Sequence, residues 1–366
     1  MDTSDKAFIC IVSAGLWNQP IELKQFGRLD YDVILRLAEE QSVIGLVTEG
    51  LELVQDVKVP QEVLLQFIGS TLQIEQRNIE MNSFIPKLIM KLQSEDIAAV
   101  LVKGQGVAQS YEKPLWRASG DVDLLLDNDN YEKARKVLFP IAHDVEQEDV
   151  LKKHQALKIK DFEVELHGRL PFSVSRKAQQ VNDEVVIDSL KNGGVSVWQF
   201  NDKDVFIPNP NNHIYLVFTH YLQHFFIEGV GLRQICDWCR MLWEYRNEVD
   251  LRLLESRLRR SVLMSEWQVF GTQAVEYLGM PKDAMPFYDE RYKKKGLMAL
   301  KRVLKSGNFG HNNDLSYRTK YKGTTYKMVS LWRRFWDFAA LIPVFPVDAP
   351  RFFVGYLNGK IKGIEA

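Results

Sequence analysis

Ser119-Gly120-Asp121-Val122-Asp123-Leu124-Leu125-Leu126-Asp127 is the stretch on which the reading of this chain turns. Side chains alternate along a β-strand, so residues two apart share a face. Asp121 and Asp123 then stand side by side, while Val122, Leu124 and Leu126 turn toward a core. Two carboxylates held together on a rigid strand repel each other and are stable mainly with a cation between them. Hard oxygen ligands of this kind suit Mg²⁺. A solvated strand edge carries the same spacing, so the flanking sequence has to decide.

Upstream, Ala98-Ala99-Val100-Leu101-Val102 is a short apolar run of the kind that forms a buried strand. It ends at Lys103-Gly104, and Gly106 to Glu112 reads as a short helix. Backbone N–H groups in a glycine-containing turn before a helix bind phosphate oxygens, and Lys103 adds a charge there. Downstream, Leu157 to Lys160 and Phe162-Glu163-Val164-Glu165-Leu166-His167-Gly168 alternate as strands, with a hairpin turn at Lys160-Asp161. Val164 and Leu166 face the core; Glu163, Glu165 and His167 share the other face, Glu163 as the outlying solvent residue. If this strand lies beside the aspartate strand, Glu165 joins Asp121 and Asp123. Three carboxylates on two strands make a metal site of the phosphoryl-transfer type.

Taken in order, these residues resemble the DNA polymerase β-like nucleotidyltransferase superfamily. More closely they resemble the bacterial uncharacterised nucleotidyltransferase family, at Lys103-Gly104, Arg117, Asp121-Val122-Asp123-Leu124-Leu125, His154 and Glu165-Leu166-His167. The similarity covers roughly residues 95 to 170, with a weaker echo at His220, His224 and residues 231–237. The superfamily's usual Gly-Ser turn is replaced here by Lys103-Gly104; Ser110 and Ser119 are the candidate substitutes for the serine. The resemblance implies an α+β fold, with a central nucleotidyltransferase-type mixed β-sheet between N-terminal and C-terminal helical regions. It implies an enzyme that moves a nucleoside monophosphate from an NTP to a hydroxyl acceptor and releases pyrophosphate. Mg²⁺, or Mn²⁺ in its place, would be held by Asp121, Asp123 and Glu165. Lys103 and the Gly104 amide would hold the phosphates, and Arg117 would neutralise charge on the transferring phosphorus. His167 and His154 would support the carboxylates or line the substrate.

The rest of the chain is consistent with three regions: helical over 1–95, mixed over 96–207, and helical over 208–366. Tyr31 to Leu46 and Glu62 to Glu95 carry apolar residues at helical spacing. Asp129 is the expected N-cap of the helix after the aspartate strand, and short strands are expected at Val185–Ile187, Val195–Phe200 and Val205–Ile207. His220 and His224 fall one helical turn apart and lack a third ligand for zinc. Arg233 and Asp237, at i and i+4, are expected to pair on a helix surface.

The chain has 366 residues, a formal charge of −1 and 46% hydrophobic residues, an ordinary globular composition with no polyanion-binding excess overall. Long nucleic acid is therefore not the default acceptor; a small molecule, sugar, peptide or protein is. The charge is uneven. Residues 291–334 hold thirteen Lys or Arg against one acidic residue, Asp314, so the remainder is strongly acidic. With the aromatics after Leu331, this marks 291–347 as the place for an acidic or membrane-surface partner. Three cysteines, Cys10, Cys236 and Cys239, form no complete metal set and are expected to be reduced, which favours the cytoplasm. No run of about twenty apolar residues exists, so no membrane span is expected. The competing readings are a catalytically degenerate nucleotide- or partner-binding protein, favoured by the absent turn serine, and a peripheral assembly protein using the basic aromatic segment.

Overall fold

The computed structural model describes residues 1–173, 175–310, 312, 320 and 322–361. Four helices come first: α1 (Thr3–Trp17), α2 (Tyr31–Glu40), α3 (Ile44–Glu52) and α4 (Gln61–Gln93). The expected single helix over Tyr31 to Leu46 is broken at Gln41–Val43. Ser42 adopts φ 56°, and the buried Gln41 side chain is pulled away to donate to the Val303 and Leu304 carbonyls and accept from Leu232 N–H. Tertiary bonding overrides a periodicity that was apolar on both sides of the break.

The sheet follows: β1 (Val100–Val102), β2 (Asp121–Leu125), β3 (Asp144–Val145), β4 (His154–Ile159) and β5 (Phe162–His167), in the order β1-β2-β5-β4-β3. Only β2 and β5 pair in parallel; the other neighbours are antiparallel. A short helix α5 (Gly104–Ala108) leaves β1, and α6 (Asn128–Leu138) leaves β2. The cap of α6 is Asp127, not Asp129: its carboxylate accepts the Asn130 N–H at 2.9 Å. The hairpin between β4 and β5 turns at Lys160, φ 55°. Val185–Ile187 is not a strand but lies within α7 (Arg176–Lys191), where Ala178, Val181, Val185 and Ser189 recur at helical spacing and are buried. A separate hairpin pairs β6 (Val195–Phe200) with β7 (Lys203–Pro208).

The remaining elements are α8 (Pro210–Ile227), α9 (Leu232–Glu244), α10 (Leu251–Ser261), α11 (Met264–Glu276) and α12 (Lys293–Ser306), then helices over Gly323–Ala339 and Asp348–Ile361. Asn209 caps α8 and Pro210 occupies its first turn, so the turn-rich Pro208–Asn212 is a helix start. Part of the basic segment, including Asp314 and Arg318, lies outside the described residues.

Two large cores and a small cluster of Val100, Val102 and Leu125 hold the described residues together. One face of the sheet buries Val122, Leu124, Val164 and Leu166 against Phe84, Ile85 and Leu88 of α4 and Tyr131 and Leu138 of α6. The larger core joins the first and last parts of the chain: Phe8 and Leu46 belong to the same cluster as Phe218, Trp238, Trp267 and Phe345. Glycines allow the closest approach at the N-terminal end, where a Cβ on Gly50 would overlap the carbonyl of Ile11 in α1. Among the described residues, no helix is long and apolar enough to cross a membrane. All three cysteines are free thiols, with Cys236 and Cys239 buried.

Candidate functional site

The second face of β2 and β5 is where charge collects. Parallel pairing sets Asp121 opposite Glu163, Asp123 opposite Glu165 and Leu125 opposite His167. Strand alternation buries Val122 and Leu124 on one side and turns Asp121, Asp123 and Glu165 to the other. One oxygen from each of these three carboxylates lies within 4.8 Å of the others. Glu163 is exposed and stays outside the group. A like charge close by disfavours the ionised form of a carboxyl, and the structure carries the mark of it. The charge of Asp123, with burial second, pushes the Asp121 carboxyl up to about 6.

Lys103 and His167 answer this charge. Lys103 Nζ lies 2.8 Å from Asp123 Oδ1, and His167 Nε2 lies 2.7 Å from the same oxygen. Burial works against the charged form of both, but the neighbouring carboxylates prevail and raise both groups above their ordinary values. His154 Nε2 and His167 Nε2 each stand 3.2 Å from Glu165 Oε2. These contacts outweigh burial and hold the Glu165 carboxyl well below its ordinary range. Asp123 Oδ2 is buried and has no hydrogen-bond partner among the described residues.

The turn that delivers Lys103 is a strained one. Lys103 has φ 59° and ψ −148°, and Gly104 follows with φ 41°. A Cβ on Gly104 would stand 3.3 Å from the Asp121 carbonyl oxygen, so glycine lets the turn close onto the aspartate strand. Of the candidate serines, Ser110 is buried and donates to the Val107 carbonyl. Ser119 lies beside Asp121 and accepts from Arg117 Nη1 at 2.8 Å.

Arg117 shares a cavity lining with Asp121 and Asp123, but its guanidinium is already engaged. It is 7% exposed, and its Nε and Nη2 donate to the two oxygens of Asp237, each at 2.7 Å. Tyr111 donates to the same carboxylate. The expected surface pair of Arg233 with Asp237 is therefore absent: Asp237 is 4% exposed and belongs to Arg117. Arg233 instead donates Nη1 to the Ala118 carbonyl at 2.7 Å, and its buried Nε has no hydrogen-bond partner. Burial, with Arg117 nearby, lowers its affinity for a proton. The family pattern marks Arg117, but the cation with bonding capacity to spare beside Asp121 is Arg233, four residues before the carboxylate that Arg117 holds.

Helix α8 covers this face of the sheet. His220 and His224 stack edge to face at 4.5 Å, and burial holds His220 far below the usual histidine range. Two cavities meet at Lys103, Glu165, His220 and His224. One, about 160 Å³, is lined by Gly104, Ser119, Gly120, Asp121, Asp123 and Arg233. The other, about 250 Å³, is lined by Lys152, His154, His167, Arg169, His213 and Gln223. The arrangement is thus a carboxylate cluster between two chambers, one fronted by a glycine turn and an arginine, the other by histidines.

The sequence model of the uncharacterised nucleotidyltransferases matches residues 28–278 of the chain. The chain belongs to this family. The nucleotidyltransferase match spans every residue of the carboxylate cluster, both cavities and the covering helix α8, and it ends before the basic segment. No curated protein and no solved structure matches the chain. A five-stranded mixed sheet with flanking helices is consistent with a nucleotidyltransferase fold. A group of three carboxylates that could hold a metal ion is present in it.

Proposed function

We propose that this nucleotidyltransferase moves a nucleoside monophosphate from an NTP to a hydroxyl acceptor, with Asp121, Asp123 and Glu165 as the Mg²⁺ ligands. The observation that carries the reading is the convergence of three carboxylates from β2 and β5 between two chambers. The donors fit a hard cation. All three are oxygens, Asp123 Oδ2 is buried without a partner, and the charge of Asp123, with burial second, raises the Asp121 carboxyl to about 6. Mn²⁺ suits the same donors. The bound ion would supply charge to the leaving pyrophosphate and lower the acceptor's pKa.

The protein's own groups do the rest. The Gly104 turn and Arg233 line the smaller chamber beside Asp121 and would receive the triphosphate. Lys103 holds Asp123 in this structure and would turn to the phosphates once another cation relieves it. Arg117, locked on Asp237, positions Ser119 and the start of β2 rather than meeting phosphate directly. His154 and His167 orient Glu165 and face the larger chamber, where the acceptor would enter. A chamber of about 250 Å³ favours a small molecule or the end of a longer chain. The helix Gly323–Ala339 exposes Met328, Trp332 and Trp336 at 69%, 63% and 55%. Together with the basic residues around it, that face would serve an acidic or membrane-surface partner at 291–347.

Mg²⁺ with each of ATP, GTP, CTP and UTP should raise the thermal midpoint of the wild type, and Asp123→Ala should abolish the rise. Pyrophosphate release with pooled hydroxyl acceptors separates an enzyme from a nucleotide-binding protein. If none of the four nucleotides stabilises the wild type with Mg²⁺ or Mn²⁺, the reading fails.

A further inference from the structure

We propose that His154, His167 and Glu165 form a second metal site, which takes a borderline divalent ion such as Zn²⁺ or Co²⁺. The two histidines are directly opposite each other on the antiparallel pair β4 and β5, and Glu165 precedes His167 by two residues on the same face. Their ligand atoms form a group of their own, all within 4.8 Å. The ligands therefore come from a rigid two-stranded scaffold rather than from loops.

The spacing suits coordination as well as hydrogen bonding. Zn–N bonds of about 2.0–2.1 Å at tetrahedral angles place neighbouring donor atoms about 3.3 Å apart. Both imidazole Nε2 atoms stand 3.2 Å from the same Glu165 oxygen. A charge-assisted N–H···O bond is normally shorter, about 2.7–2.9 Å, and His167 reaches that range with Asp123, at 2.7 Å. The two contacts to Glu165 thus have the spacing of a coordination shell. Metal at His167 Nε2 would replace the proton there and exchange the contact with Asp123, which keeps Lys103 on the same oxygen.

Donor chemistry separates this site from its neighbour. Asp121, Asp123 and Glu165 offer oxygens alone, whereas this group offers two imidazole nitrogens and one carboxylate, a set that favours later first-row ions over Mg²⁺. Glu165 belongs to both groups, and its two oxygens allow it to bridge. Three protein ligands leave a coordination position open, as in catalytic zinc sites, and all three line the larger cavity. A water or a hydroxyl in that chamber would complete the shell.

The test uses the full chain, stripped with EDTA and titrated with Co²⁺ under excess Mg²⁺. One equivalent should bind, with strong visible absorption and imidazole scattering at the cobalt edge. His154→Gln should weaken Co²⁺ binding by more than about tenfold, and Asp121→Ala should retain the imidazole signature. The His154 side chain is 31% exposed, so the variant should fold; the edge spectrum of the wild type decides the matter independently of any variant. An all-oxygen signature, no binding under excess Mg²⁺, or equal affinity in His154→Gln would overturn the proposal. These readouts need no nucleotide, so they stand or fall apart from Mg²⁺–NTP stabilisation.

Discussion

Asp121→Asn should make the metal-free protein more stable at neutral pH while removing its response to Mg²⁺. Asp121 makes no hydrogen bond or ion pair through its carboxylate among the described residues, yet faces Asp123 and Glu165. Its carboxyl ionises near 6 rather than at its ordinary 3.8, because of Asp123 first and burial second. Below pH 3.8 the group is protonated in both folded and unfolded chains and costs nothing. As pH rises, the unfolded chain loses the proton first, so stability falls until about pH 6, where the folded form follows. Above that the penalty is complete. A gap of about two pKa units corresponds to a ceiling of about 3 kcal/mol. Asparagine keeps the shape, removes the charge and offers N–H donors to the two remaining carboxylates.

Urea unfolding in EDTA is the assay, at pH 7.5 and again near pH 4. Asp121→Asn should exceed the wild type at pH 7.5 by up to about 3 kcal/mol and approach it near pH 4. Adding Mg²⁺ should then stabilise the wild type and leave the variant unchanged. A variant no more stable than the wild type at pH 7.5 in EDTA would refute the claim that these carboxylates repel one another in the folded chain.

Three further outcomes follow from the same geometry. Asp237→Ala leaves the buried Arg117 guanidinium without its carboxylate and should cost about 3–5 kcal/mol in urea unfolding, with the Arg117→Ala/Asp237→Ala pair costing less than the sum of the singles. Arg233→Ala removes a half-buried cation whose charge is already disfavoured, so stability should change by less than about 1 kcal/mol, while NTP affinity measured by calorimetry should fall clearly. Gly50→Ala drives a Cβ into the Ile11 carbonyl and should part α1 from α3, lowering the thermal midpoint without altering metal affinity.

Local pattern and long-range pairing differ in how far they show in the sequence. Alternation in 121–126 and 162–167 marks which side chains share a face, because that depends only on neighbours along one strand. The shared family pattern supplied the idea that β2 and β5 are adjacent; nothing in either strand alone specifies parallel pairing across the 36 residues between them. The differences from expectation have one local cause and two long-range ones. Val185–Ile187 is β-branched and apolar over three residues, but Ser175 caps a helix ten residues earlier and the burial of Val181 and Val185 follows the helical period. Gln41 breaks a helix because its side chain bonds Leu232, 191 residues away. Asp237 pairs with Arg117, 120 residues away, rather than with Arg233 one turn before it. A periodicity scan sees none of these partners. Gln41 and Asp237 are buried polar groups, for which leaving a hydrogen bond unmade costs more than a local preference gains.

The same reasoning explains why the site tolerates three carboxylates. Asp123 and Glu165 are register partners, so the sheet cannot separate them without slipping by whole residues and turning Val122 and Val164 out of the core. The repulsion must be met by side chains, and these arrive from two directions. Lys103 comes from the end of β1, which pairs with β2 at Val102 and Asp123. His167 comes from β5 itself, two residues beyond Glu165. Asp121 is met by neither at bonding distance and takes the remaining strain as a raised affinity for a proton. The carboxylate least served by the fold lies, with Asp123 and Glu165, on the chamber with the glycine turn and Arg233. The deficit of positive charge therefore lies where a ligand would bring it, and it is confined to one residue because the strand register fixes the other two.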